Sequence, residues 1–227
     1  METKRIVVIG LGGVGSILIE RMARFINYST DIKPPILLVD GDNYEPKNYE
    51  RQEFIRLGNK AEIKSNELQI KYQRLQVDFC NEYITPENIV NIIHENDTVF
   101  ICVDNHKSRM IISNYCRSLQ NIILISGGNE YTDGNVQLYV REGGKDLTPD
   151  LCKYHPEIAT PEDRLPTEMS CEELSQSAPQ LYFTNMGVAT LMCWTFYNAV
   201  VKKSYERSEV YFDILTMNSN SKVRCVK

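Results

Sequence analysis

Lys4-Arg5-Ile6-Val7-Val8-Ile9-Gly10-Leu11-Gly12-Gly13-Val14-Gly15 is the stretch that decides the fold. Its apolar run has the length and lack of alternation of a buried parallel strand, and it ends abruptly in glycines. Beyond them Val14, Ile17, Leu18, Met22 and Phe25 recur at helical spacing. Gly13 to Ile26 is therefore expected to be an amphipathic helix whose first N–H groups face an anion. In a strand, glycine turn and helix of this kind, the first glycine permits the tight turn. The second lets phosphate approach the backbone, and the third lets the helix meet the strand. A glycine-rich turn without a ligand is the plainer alternative.

Working outward, Tyr28 to Pro35 reads as a connector and Ile36 to Asp40 as a second strand. Asp40 lies 25 residues beyond Gly15, close to the spacing at which a strand-closing acid accepts hydrogen bonds from a ribose. The run Asp40 to Gln52, DGDNYEPKNYERQ, adds Asp42, Asn48, Arg51 and Gln52. A guanidinium beside bound phosphates suits phosphoryl or nucleotidyl transfer better than hydride transfer. A helix is expected from Lys60 to Leu75, carrying Lys60, Lys64 and Lys71, then a strand over Val77 to Cys80 and a short helix from Pro86 to His94. Thr98 to Val103 is expected to be a fully buried strand ending in Asp104-Asn105. Asp104 could hold Mg at the mouth of the sheet, or merely cap a helix over His106 to Leu119. Further strands are expected at Ile122 to Ser126 and Asn135 to Val140, with a break at Gly127-Gly128 and a turn at Asp133-Gly134. A proline-rich, acidic, irregular crossing follows at about 141–178, then an uncharged helix from Pro179 to Val201. Strands over Glu209 to Leu215, Asn218 to Ser221 and Lys222 to Val226 suggest a terminal hairpin. Alternating strands and helices closed by adjacent strands give an α/β layer with a mixed sheet.

The chain of 227 residues, 42% hydrophobic, is long enough for one substantial core, and a single domain over 1–227 is expected. Net charge is -5 with scattered basic residues, which leaves no electrostatic footprint for nucleic acid. The seven cysteines are odd in number and none forms Cys-x-x-Cys, so neither a disulfide framework nor a four-thiolate zinc site is suggested. A reducing, cytoplasmic setting follows, and the first strand begins too early for a signal peptide. Leu181 to Val201 is long enough to cross a bilayer. Thr184, Asn185, Thr190, Thr195 and Asn198 within it favour instead a helix buried against a sheet or across a subunit interface, with no membrane.

Gly10-x-Gly12-Gly13-x-Gly15, Asp40-x-Asp42, Asn48-x-x-Arg51-Gln52, a following lysine and Cys102-x-Asp104-Asn105 occur in that order. Together they resemble the ThiF/MoeB family of adenylyltransferases, which is related to the adenylation domain of ubiquitin-activating enzymes. The resemblance runs from Ile6 to the uncharged helix. It implies a Rossmann-like, doubly wound, mostly parallel mixed sheet with helices on both faces, and a symmetric dimer. The activity it implies is ATP- and Mg-dependent adenylation of the C-terminal carboxylate of a ubiquitin-like protein. It also implies that Gly12 and Gly13 meet phosphate, Asp40 binds ribose, Asn48, Arg51 and Gln52 face the triphosphate, and Asp104 holds Mg. For the lysine, Lys64 is favoured by its distance of 13 residues from Arg51, and Lys60 by its local motif Asn59-Lys60-Ala61-Glu62. Ubiquitin-activating relatives pass the acyl group to a cysteine. Cys171, directly before the final helix, is the candidate acceptor, with Cys152 next. Two rival readings are a nicotinamide-dependent oxidoreductase, which gives Arg51 and Asp104 no role, and a non-catalytic nucleotide-binding partner subunit.

Overall fold

The computed structural model describes residues 2–29, 31, 33–169 and 180–226. The apolar run forms strand β1 (Arg5–Ile9) and leads through the glycines into helix α1 (Gly13–Ser29). Then come β2 (Ile36–Val39), the two-residue strands β3 (Asn43–Tyr44) and β4 (Gly58–Asn59), α2 (Lys60–Lys71) and β5 (Val77–Cys80). One turn of helix, α3 (Ile89–Ile92), precedes β6 (Asp97–Ile101), α4 (His106–Ser118), β7 (Ile122–Asn129) and β8 (Asp133–Glu142). The crossing contributes β9 (Lys145–Asp146) and the single turn α5 (Pro156–Ala159). The chain then reaches α6 (Tyr182–Phe196), β10 (Glu209–Asp213) and β11 (Asn218–Lys222).

The main sheet has the order β11-β10-β8-β7-β6-β1-β2-β5, with β9 attached to β8. Pairing is parallel from β5 to β7 and antiparallel from β7 to β11. After β1 the chain winds first to one side, through β2, and later returns to the other, at β6. A crevice opens where the order reverses, at the carboxyl ends of β1 and β6.

Alternation along β1 divides the core. Ile6 and Val8 pack with Leu18 and Met22 of α1 and Val188 and Met192 of α6. Val7 and Ile9 face the other way, toward Ile89, Ile112 and Cys116. Helices thus cover both faces, the mostly parallel mixed sheet expected from the sequence. No helix among the described residues is long and apolar enough to cross a membrane. The uncharged segment is buried through Val188, Leu191, Met192 and Phe196, and it ends in a π-helical turn, Tyr197–Val201.

Several boundaries differ from the sequence reading. Gly127-Gly128 does not break β7, because both residues are paired, with Val136 and Asn135. A Cβ on Gly127 would lie 2.4 Å from Met192 Sδ, so this glycine lets α6 press on the sheet. The turn falls at 130–132, before Asp133-Gly134, which already belong to β8. Helix α2 stops at Lys71, four residues early, and the helix expected over Pro86 to His94 is one turn. At the C-terminus, β10 and β11 form the hairpin and Lys222 ends β11, while 223–226 runs on without strand pairing.

Glu209 anchors that tail. Its carboxylate meets His155 Nε2 from the crossing and accepts from Arg224 Nε at 2.5 Å, while Tyr154 Oη donates to Cys225 O at 2.8 Å. Burial alone would raise the Glu209 carboxyl, but the hydrogen bonds from His155 and Arg224 outweigh it and lower it to about 2. Burial lowers His155, but its bonds to Glu209 and Glu157 win and raise it above 6.5. The Glu209 contribution to stability is present above its ordinary 4.5 and lost as pH falls toward 2. The His155 contribution is present below 6.5 and lost as pH rises through its higher folded value. The melting-temperature gap between the native protein and Glu209→Gln is therefore expected to be widest between pH 4.5 and 6.5 and to narrow on either side. Thermal melts across pH check this, and a gap that is flat with pH would reject it.

Candidate nucleotide-binding site

A cavity of about 980 Å³ lies at the crevice. Gly10, Gly12, Gly13, Asp40, Asp42, Asn48, Arg51, Gln52, Lys60 and Asp104 all line it. Residues from four separate segments of the sequence thus share one wall, within the size range of small-molecule sites.

The glycine loop is braced from three sides. Asp40, closing β2, accepts from Leu11 N through Oδ2 at 2.6 Å and from Asp42 N through Oδ1 at 2.9 Å. Burial holds its carboxyl above the ordinary value despite nearby Lys60 and these two N–H donors. Each oxygen keeps a second lone pair, so the side chain can still accept from a ribose hydroxyl. Tyr44 Oη donates to Leu11 O at 2.9 Å, and the Tyr44 ring stacks on Phe54, which stacks on Tyr49. Gly10 has φ +89°, a left-handed conformation that glycine adopts without strain. Gly15 does not line the cavity and instead seats α1 against the loop.

Asn48 ends a short 3-10 turn, Pro46–Asn48, and Arg51 follows in the turn after it. Asn48 Oδ1 accepts from Glu45 N at 2.9 Å, and Asn48 O accepts from Arg51 N at 3.1 Å. Arg51 O in turn accepts from Asn185 Nδ2 of α6 at 3.4 Å. Gln52 Oε1 and Asn185 Oδ1 are buried with no hydrogen-bond partner among the described residues. Unpaired acceptors of this kind beside a glycine loop are where a ligand donor is needed.

The two candidate lysines separate. Lys60 lies on the cavity wall, its ammonium paired with Asp42, and its position is fixed by Asn59, which caps α2 through Glu62 N and donates to Asp40 O at 2.9 Å. Lys64 is 1% exposed, and its ammonium is held by Glu53 O at 2.6 Å and Glu67 at 2.7 Å. The spacing that favoured Lys64 points it into the α1–α2 packing and off the cavity wall. Asp104 is exposed in the cavity, and it is not the helix cap. Asn105 takes that role, accepting from Ser108 N at 2.7 Å, and Asp163 accepts from His106 N and Lys107 N.

Sequence reading missed Arg109, Gln180 and Asn185. A Cβ on Gly13 would lie 2.1 Å from Asn185 Nδ2 and 2.7 Å from Gln180 Oε1, so both side chains crowd the loop. The signal for Asn185 was a lone amide in a helix without charged side chains. Cys171 lies outside the described residues. Cys152 is half-buried, and burial raises its thiol; burial also pushes Cys102 up to about 12 and Cys193 to about 11.

Comparison with known proteins places the chain in a family and a fold. A tRNA threonylcarbamoyladenosine dehydratase of Haemophilus influenzae is 31% identical over 139 residues, which is 59% of this chain and 51% of that protein. Among solved structures, E. coli MccB with ATP superposes with TM-score 0.74 at 18% identity, covering 98% of this chain and 64% of MccB. PaaA superposes with TM-score 0.72 at 14% identity, covering 97% of this chain and 64% of its own. The chain thus spans about half of the curated relative and somewhat under two thirds of these structures. The ThiF family matches residues 1–226, and the chain belongs to the ThiF family.

Proposed function

We propose that this protein is an ATP-dependent adenylyltransferase that activates the C-terminal carboxylate of a small ubiquitin-like protein. The observation that carries the reading is the shared cavity wall, on which the glycine loop, Asp40, Arg51, Lys60 and Asp104 converge. MccB, which shares the fold, has been crystallised with ATP and with MccA.

In the reaction a carboxylate oxygen attacks the α-phosphorus of ATP. The bond from that phosphorus to the bridging oxygen breaks, and pyrophosphate leaves with the electron pair; no proton moves. Both reactants and the leaving group are anionic, so the chain's task is to neutralise charge and align the two. The loop N–H groups and the start of α1 face the phosphates, and Arg51 and Lys60 supply positive charge. Asp104 is exposed, makes no hydrogen bond to a described residue, and fits Mg. That ion commonly takes one or two carboxylates, with phosphates and water filling its other positions. Bound there, Mg would neutralise the phosphates. Further elements of the proposal are transfer of the acyl group to Cys171, or to Cys152, as a thioester, in which the sulfur displaces AMP from the acyl carbon and the thiol proton passes to solvent, and a symmetric homodimer. The stripe of Phe183 and Trp194 on α6 with Tyr197 and Val201 of the π-helical turn after it, each at least 40% exposed, is the apolar surface such a dimer would bury.

ATP with Mg is expected to raise the melting temperature, and NAD or NADP to leave it unchanged, because binding stabilises only the state that binds. A larger shift with the dinucleotides would support the oxidoreductase reading instead. Pyrophosphate exchange into ATP separates an active enzyme from a non-catalytic partner subunit.

A further inference from the structure

Arg51, Gln52 and Glu53 lie outside every strand and helix. Arg51 N and Gln52 N both donate to Asn48 O, at 3.1 and 3.0 Å, which closes the turn on itself and leaves its placement to other contacts. Most of those contacts meet at Glu53. Its N–H donates to Ser16 Oγ at 3.3 Å, and Ser16 Oγ donates to Gly12 O at 2.7 Å, so one hydroxyl separates Glu53 from the phosphate loop. Its carbonyl accepts from Lys64 Nζ of α2 at 2.6 Å. Its carboxylate accepts from Arg21 Nη1 and Nη2 of α1, at 2.8 and 3.3 Å, and from Tyr182 Oη at the start of α6, at 2.5 Å.

Three helices therefore converge on one residue. Helix α6 holds the segment at a second point as well, because Asn185 stands three residues beyond Tyr182 on the same helix face and donates to Arg51 O at 3.4 Å. Lys64 is braced in its turn by Glu67 at 2.7 Å and Glu20 at 3.7 Å. The Glu53 and Arg21 side chains are 30% and 48% exposed, and ion pairs so exposed contribute little to folding. The two-point bond between their carboxylate and guanidinium is directional, however, so the main consequence of the network is geometric. It fixes where the residue two after Arg51 stands against α1 and the glycine loop.

We propose that Glu53 is the positioning residue of the arginine segment. Held by Arg21, Lys64 and Tyr182, it sets the place of Arg51 relative to phosphates bound at Gly12 and Gly13. Lys64 then acts through Glu53 and not on the nucleotide. This role of Glu53 rests on the adenylyltransferase reading, in which Arg51 faces the triphosphate. AMP, which lacks the β- and γ-phosphates, is for that reason the control ligand.

Calorimetric titration with α,β-methylene ATP and Mg, and separately with AMP, tests this in the full chain. Glu53→Ala is expected to weaken binding of the ATP analogue about tenfold and of AMP less than about twofold, the scale of coupling between residues of one network. Tyr182→Phe removes a single hydrogen bond and is expected to weaken the analogue about threefold, which keeps the test open should Glu53→Ala fold poorly. Glu53→Gln still offers an acceptor to Tyr182 and Arg21 and is expected to recover most of the loss. Added to Arg51→Ala, Glu53→Ala is expected to weaken the analogue by less than about a further twofold, because a residue that acts through Arg51 has nothing left to position. Equal losses for AMP and the analogue, or the same Glu53→Ala loss with and without Arg51, would mean a merely structural role and overturn the proposal. Unchanged analogue binding in both Glu53→Ala and Tyr182→Phe would do the same. An Arg51→Ala protein that binds the analogue as tightly as the parent would instead overturn the adenylyltransferase reading beneath it.

Discussion

Asp104→Ala and Arg51→Ala are each expected to lower ATP–pyrophosphate exchange by about a hundredfold or more, the scale set by losing one group that stabilises charge in the transition state. The structure separates this loss from unfolding most cleanly at Asp104. That carboxylate is exposed and bonds to no described residue, while the N-terminus of α4 is capped by Asn105 and by Asp163. Removing Asp104 therefore deletes no cap, and its melting temperature should stay within about 1 °C of the parent. Asn105→Ala is the matched control. It loses the bond to Ser108 N, at a cost of about 1 kcal/mol, or roughly 2–4 °C for a chain of this length. Exchange per folded Asp104→Ala molecule close to the parental rate would remove Asp104 from the site.

The same pair of residues shows how far sequence carries. That a cap was needed beside Asp104 followed from the helix signal at His106. Which of Asp104 and Asn105 supplies it depends on where the chain leaves β6, and adjacent residues with similar capping ability cannot be ranked without that geometry. The parallel half of the sheet was legible because short apolar runs such as Ile6–Ile9 and Val99–Val103 precede segments of helical period, as buried parallel strands do. Lys60 and Lys64 lie four residues apart on α2, and in the sequence the spacing from Arg51 favoured Lys64 while the local motif favoured Lys60. In the structure Lys64 points at Glu67 and the α1 side, while Lys60 starts the helix beside Asp42. Gly127 misled for a related reason. A glycine that makes room for Met192 reads the same in sequence as one that breaks a strand. Arg109 was out of reach for the sequence reading because its neutral partners, Val103 O, Ser126 Oγ and Gly127 O, come from two strand ends that only the fold brings together.

Gly15→Ala is expected to destabilise the protein by about 3 kcal/mol or more, because a methyl group has no free direction there. Its Cβ would lie 1.9 Å from Gly10 O and 3.2 Å from Cys102 Cβ. Gly10 cannot retreat easily. Its own left-handed backbone is packed so that a Cβ on it would meet Cys102 C and O at 2.8 Å, and its N–H is bonded to Val39 O at 2.9 Å. The strain would pass to the register of β1 with β2 and β6 or to the seating of α1, and both define the nucleotide crevice. A fall in melting temperature on the order of 10 °C is expected for a chain of this length, together with loss of the ATP-induced shift. Gly143→Ala is the control, since Gly143 has φ +58° but nothing within 4 Å of its Cβ position. That change carries only the left-handed backbone cost, about 1–2 kcal/mol, and should leave the ATP-induced shift intact. Should Gly15→Ala melt within about 2 °C of the parent and still respond to ATP, the contact between α1 and the glycine loop would not be what shapes the phosphate site.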